Sequence, residues 1–147
     1  MKCRVRVWHY LDEWNGAAAV RAYEGPIIHA LKKHAGQKQG YLVAEDNDPQ
    51  GYKSNAAKEA KEKLRIRTVD WPRYSPDLNP LDFFLWAEVS RRMALEQVNN
   101  ETAVQYKARL RATAMAIPAP LIRAALLSIK ERAKMVVGAE GRDIPRD

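Results

Sequence analysis

Ser75-Pro76-Asp77-Leu78-Asn79-Pro80-Leu81-Asp82 is the stretch on which the reading of this 147-residue chain turns. Pro76 and Pro80 fix φ and remove backbone donors, and Asp77 and Asn79 favour turns, so the chain must change direction here before a helix begins. Asn79 reads as the N-cap and Pro80 as the first helical residue. Asp82 then falls in the first turn, where the helix dipole favours negative charge. Taken alone, an acid at that position is ordinary capping chemistry. The context upstream gives it more weight. Tyr41-Leu42-Val43-Ala44 is an apolar run that ends in Glu45-Asp46-Asn47-Asp48-Pro49, the pattern of a buried strand with acids at its carboxyl end. Ligands and catalytic groups of α/β sheets collect at such ends.

Around these two segments the periodicities predict an α/β core. Cys3, Val5 and Val7 alternate with Arg4, Arg6 and Trp8, which predicts an opening strand. Asn15-Gly16 is a hairpin signal, making Ala17 to Tyr23 the returning strand, and Gly25-Pro26 closes it before a short helix with Ile27, Ile28 and Leu31 inside. Tyr41 to Glu45 is the buried strand. A helix over Ser54 to Leu64, a strand over Arg65 to Val69 and the helix opening at Pro80 complete the core. Further on, Asn100 or Thr102 can cap a helix carrying Val104, Leu110 and Ala114, which Ile117-Pro118-Ala119-Pro120 breaks. A last helix follows with Leu121, Ile122, Ala125, Leu126 and Ile129 on its apolar face, and Gly138 and Gly141 mark its end. The expected division is a core over residues 1–98 and a helical extension over 99–147 packed on the same domain.

The ordered set Asp46-Asn47-Asp48-Pro49, Val69-Asp70-Trp71-Pro72, Ser75 through Asp82, and Leu85-Trp86 resembles the catalytic core of the Tc/mariner superfamily of DDE transposases. The resemblance implies a ribonuclease-H-like (retroviral-integrase-like) fold: a mixed sheet with flanking helices plus C-terminal helices. It implies DNA cleavage and strand transfer in transposition, Mg²⁺ or Mn²⁺ as cofactor, and Asp46 and Asp82 as the second and third catalytic, metal-holding acids. Asn47, Pro49, Trp71, Pro76, Asp77, Asn79 and Pro80 are then the residues that shape the motifs. Thirty-five residues separate the two acids, close to the family's spacing. Asp at the third position is mariner-like, whereas Asn79 and Leu85-Trp86 look like the other branch. Arg132 and the glycines before Asp143 match a late arginine and a glycine-rich close. Three departures stand out. The family's first acid lies upstream of the strand matched by Trp8, so the chain is expected to be N-terminally truncated with an incomplete metal site and weak or no strand transfer; Asp12 and Glu13 read as loop acids. Glu45 replaces the usual glutamine, and Gly51 stands where a histidine normally follows the proline.

The chemistry explains the acids. Two divalent ions about 4 Å apart can activate the attacking oxygen and stabilise the leaving one in phosphodiester cleavage, and hard cations want carboxylate oxygens. The net charge of +7 suits a polyanion: residues 1–52 carry 7 basic and 6 acidic side chains, and residues 53–147 carry 18 and 12. Lys53, Lys58, Lys61, Lys63, Arg65 and Arg67 run toward Trp71 and Arg73, and Arg91-Arg92 follow on the next helix. Lys53, Arg73, Arg91 and Arg92 are the candidate DNA contacts, although alternating Lys and Glu over Lys58 to Lys63 also describes a solvated helix face. The expected partners are DNA and a second copy in a homodimer, with no membrane and no small-molecule cofactor. An apolar content of 46% supports one core. The single cysteine, Cys3, allows neither an internal disulfide nor a cysteine zinc site, and His9, His29 and His34 lack ligand spacing. There is no apolar run of about 18 residues and no leader pattern, so an intracellular protein is expected, nuclear in a eukaryote. The alternatives are a non-catalytic DNA-binding or interaction module that keeps the fold, and a scaffold without a nucleic-acid role.

Overall fold

A computed structural model describes Val5, Val7 and residues 13–46, 48–96 and 98–145. The chain packs as two compact units, one of Tyr10–Tyr74 and one of Ser75–Asp147 with Met1–His9. The division drawn from sequence at 98/99 falls inside the second of these.

The first unit opens with helix α1, Gly16–Ala22. Here the hairpin reading fails. Asn15 has extended backbone (φ −148°, ψ −174°) rather than the left-handed conformation that a tight hairpin needs, and its Oδ1 accepts from the N–H of Ala18 at 3.1 Å. Ala17-Ala18-Ala19 has the strongest helix propensity available, and Asn-Gly serves as a cap and first turn instead of a strand reversal. The alanines also leave room for a close neighbour: Ala18, Ala19, Ala57 and Ala60 are all buried where α1 meets the helix Asn55–Lys63. A π-type turn, Tyr23–Ile27, holds Gly25 and Pro26 and kinks the path into α2, Ile28–Ala35.

Next come β1 (Tyr41–Val43), α3 (Asn55–Lys63) and β2 (Ile66–Thr68). Ser54 caps α3 by accepting from the N–H of Ala57. Among the described residues the sheet is these two parallel strands, Tyr41 opposite Ile66 and Val43 opposite Thr68, with α3 as the crossover. Ala19, Tyr23, Ile28, Tyr41, Ala57 and Ile66 form the core, flanked by Trp14, Leu31, Val43, Tyr52 and Leu64. Both strands are shorter than expected from sequence, Tyr41–Val43 against Tyr41 to Glu45 and Ile66–Thr68 against Arg65 to Val69.

In the second unit a π-type turn, Leu81–Leu85, leads into α4, Trp86–Leu95. α5, Ala103–Met115, begins with a capping box between Thr102 and Gln105, so Thr102 is the cap. α6, Ala119–Gly138, starts after the Pro118 break, at which the pair bends by 72°. Leu85, Val89, Ala114 and Ile117 form this unit's core, with Val5, Val7, Phe84, Met93, Leu110 and Ile122 against it. The rest of the predicted opening strand, with Cys3 and Trp8, lies outside the described residues. No single helix among them is long and apolar enough to cross a membrane.

Candidate active site: two acid-bearing segments

Asp46 follows β1 by three residues and is exposed. Val43 O accepts from Val69 N–H at 2.9 Å, which fixes the carboxyl end of β1 just ahead of it. The acids on either side of this segment are engaged in ways that its sequence only partly suggests. Glu45 turns inward: it accepts from Tyr23 Oη and from Lys61 Nζ, the latter at 2.9 Å, and both members of the ion pair are under a tenth exposed. Burial pushes the Glu45 carboxyl above its ordinary range, and Lys61 works against that shift. Lys61 also donates to Tyr52 O at 3.0 Å and lies 5.4 Å from the centre of the Tyr23 ring. Lys61 is thus no part of a solvated basic face. It shares a helical face with Ala57 and Leu64, and that i, i+4, i+7 spacing was the signal for its burial.

Asp48 is equally committed. Its Oδ2 accepts from Trp14 Nε1 at 2.7 Å and from Gly51 N–H at 2.8 Å, and Oδ1 from Gln50 N–H at 3.2 Å. Partial burial acts to raise its pKa, but these hydrogen bonds outweigh it and hold the carboxyl below the ordinary aspartate range. A Cβ on Gly51 would stand 2.1 Å from Trp14 Nε1 and 2.6 Å from Asp48 Oδ2. The indole therefore fills the space that a side chain at position 51 would need. Asn47 lies outside the described residues. Pro49 and Lys53 are exposed, and Lys53 N–H donates to Asp48 O at 3.1 Å.

Asp82 is exposed on the first turn after the proline-rich segment. Asn79 caps as its position predicts: its Oδ1 accepts from Leu81 N–H at 3.1 Å and its Nδ2 donates to Asp82 Oδ2 at 2.7 Å, orienting the carboxylate. Asn79 O accepts from the N–H groups of Asp82 and Phe83. Behind the turn Asp77 is buried, and its carbonyl accepts from Arg132 Nε on α6 at 2.7 Å. The Arg132 guanidinium also donates to Pro145 O at 3.0 Å and lies 4.3 Å from the centre of the Phe83 ring. The late arginine of the family resemblance, Arg132, thus acts at this turn. Its signal was its place seven residues after the buried Ala125, on the same face of α6.

Pro76 is exposed, Pro80 and Trp71 are half-buried, and Arg73 is exposed. On α4, Arg91 and Arg92 both bind Glu88, at 2.9 and 2.6 Å from their Nε atoms. Hydrogen bonds from Arg91 and then Arg92 hold the Glu88 carboxyl down at about 2. Two of the four candidate DNA contacts therefore already carry an internal counter-ion. Among the described residues no three His, Cys, Asp or Glu side chains are grouped so as to hold a metal ion. The exposed carboxylates of Asp46 and Asp82 suit a hard cation as donors; Asp48 and Glu45 do not, because their oxygens are already bound within the fold.

No family model matches the sequence. Among curated proteins, the Tcb1 and Tcb2 transposable-element transposases of Caenorhabditis briggsae are each 31% identical over 121 residues, 81% of this chain. The Tc1 transposase of Caenorhabditis elegans is 31% identical over 103 residues. The chain spans less than half of these relatives, 43% of the first two and 36% of the third. Among solved structures, the catalytic domain of Mos1 mariner transposase superposes with a TM-score of 0.77 at 21% identity, over 92% of this chain and 66% of that one. The Mos1 mariner paired-end complex with Mn gives 0.76, over 92% of this chain and 39% of that one. The likeness to Mos1 carries the fold, and the nematode relatives carry the sequence relationship. The chain belongs to the Tc1/mariner superfamily of transposases, and its fold is the ribonuclease-H-like one of that superfamily's catalytic domain.

Proposed function

We propose that this chain is a transposase-derived DDE domain that holds Mg²⁺ or Mn²⁺ through Asp46 and Asp82 and acts on the phosphodiester backbone of DNA. The observation that carries the reading is Asp82: an exposed acid in a capped first helical turn, oriented by Asn79 and backed by a buried arginine. Asp46, exposed just beyond the end of β1, supplies a second carboxylate of the same kind. Bound divalent ions would activate an attacking oxygen and stabilise a leaving one, with waters and phosphate oxygens completing their coordination. The chain's own contribution is orientation: Asn79 holds the Asp82 carboxylate, and the Glu45–Lys61 pair holds the residue next to Asp46. Mos1 has been solved with Mn and with Mg, which supports the choice of ion.

Purified protein incubated with nicked and transposon-flanked duplexes in Mn²⁺ tests this. Weak cleavage at most is expected, lost in Asp46→Ala and in Asp82→Ala; cleavage indifferent to both substitutions would sink the metal assignment. A second reading, a DNA-binding module without catalysis, is favoured by the excess of basic side chains. It predicts salt-sensitive duplex binding that is unchanged by Asp46→Ala and by chelator.

A further inference from the structure

We infer that Arg132 is a positioning residue for Asp82, and that α6 thereby sets the geometry of the acid on the proline-rich turn. The inference rests on the proposed metal-holding role of Asp82. One guanidinium engages both flanks of that residue: Nε reaches the carbonyl of Asp77, five residues before it, and the cation lies 4.3 Å from the ring centre of Phe83, the residue just after it. Another of its nitrogens reaches Pro145 O, so the C-terminal segment is tied to the same point. Arg132 is only 4% exposed and Asp77 7%. A charge is not withdrawn from water so completely unless its partners repay the desolvation, and charge-assisted bonds to carbonyls together with a ring face do so here. The turn's own bonds are local, Leu78 N–H to Ser75 O at 3.1 Å and Asn79 N–H to Pro76 O at 3.2 Å. Arg132 bridges 55 positions of sequence and ties the turn to α6. Lysine cannot replace it, because a point charge can neither span two carbonyls in a planar fork nor stack on Phe83.

The test compares the whole chain with Arg132→Lys and, as a milder probe, Phe83→Leu, which removes the ring while keeping the arginine. Amide hydrogen exchange is expected to speed up about tenfold across residues 75–83 in Arg132→Lys, the scale of one lost charge-assisted bond. α5 should keep its protection, and Phe83→Leu should show a smaller change in the same place. Mn²⁺ affinity, read by electron paramagnetic resonance, is expected to fall severalfold in Arg132→Lys and to show no further fall when that change is added to Asp82→Asn. Unchanged exchange over 75–83, or an equal rise throughout α5, overturns the inference. So does an Arg132→Lys effect on Mn²⁺ that persists in the Asp82→Asn background. Mn²⁺ affinity that Asp82→Asn leaves intact overturns the metal reading itself, and the inference falls with it.

Discussion

A methyl group at position 51 would have to displace the Trp14 indole, which stands 2.1 Å from where its carbon would be and is itself held by Asp48. Gly51→Ala is therefore expected to cost about 1–3 kcal/mol, the usual range for over-packing a filled site. Denaturant midpoints of Gly51→Ala, Trp14→Ala and the double variant check this. The two changes should be strongly non-additive, with Trp14→Ala removing most of the alanine's penalty. Additive costs would mean that the indole yields without strain. The sequence comparison marked Gly51 as a departure, but only the packing shows its physical content. The same holds for Glu45, whose extra charge relative to glutamine is matched by a buried lysine sixteen residues later.

At the level of single elements, the capping signals hold in the structure and the hairpin signal does not. Asn79 and Thr102 each cap the helix that their side chains predict, because a cap is a local bond between neighbours. Asn15-Gly16 failed because three alanines and a tight partner helix outweigh a two-residue preference. The predicted strand ends run past the ladder at Glu45, which turns inward to Lys61, and at Arg65 and Val69, each of which makes a single bond across to β1. On α4 the Glu88 clamp has a pH consequence. Its carboxyl titrates at about 2 when folded against an ordinary value of 4.5, so the stability it gives is whole above 4.5 and is lost as pH falls toward 2. Asp48, also lowered, acts in the same direction. Glu45 runs opposite: its raised value burdens the fold at higher pH and relieves it as protonation sets in. Glu88→Gln should flatten the fall in urea midpoint between pH 4.5 and 2. Parallel curves for wild type and variant would show that the clamp carries no weight.

Across the whole molecule the charge divides unevenly between the two units. Tyr10–Tyr74 holds 11 basic and 9 acidic residues, and the rest of the chain 14 and 9. The unit that contains Asp82, Arg91 and Arg92 thus carries the greater part of the excess. If that excess meets DNA, neutralising Arg91 and Arg92 together should weaken duplex binding and lower the slope of log K against log salt by about 1–2, each arginine having exchanged Glu88 for a phosphate. An unchanged slope would remove α4 from the interface. The fold class and both acid-bearing segments were legible because they rest on local motifs. The supports of those segments were not, since Lys61 and Arg132 reach them from elsewhere in the chain. That separation matters during synthesis. The end of β1 at Val43 and the start of β2 at Ile66 have 22 residues between them in a parallel pair, and no tight turn can join such strands. Until the ribosome has passed Thr68, β1 waits without its described partner, and the acid that follows it emerges before Lys61 and Val69, which secure its segment from further along the chain.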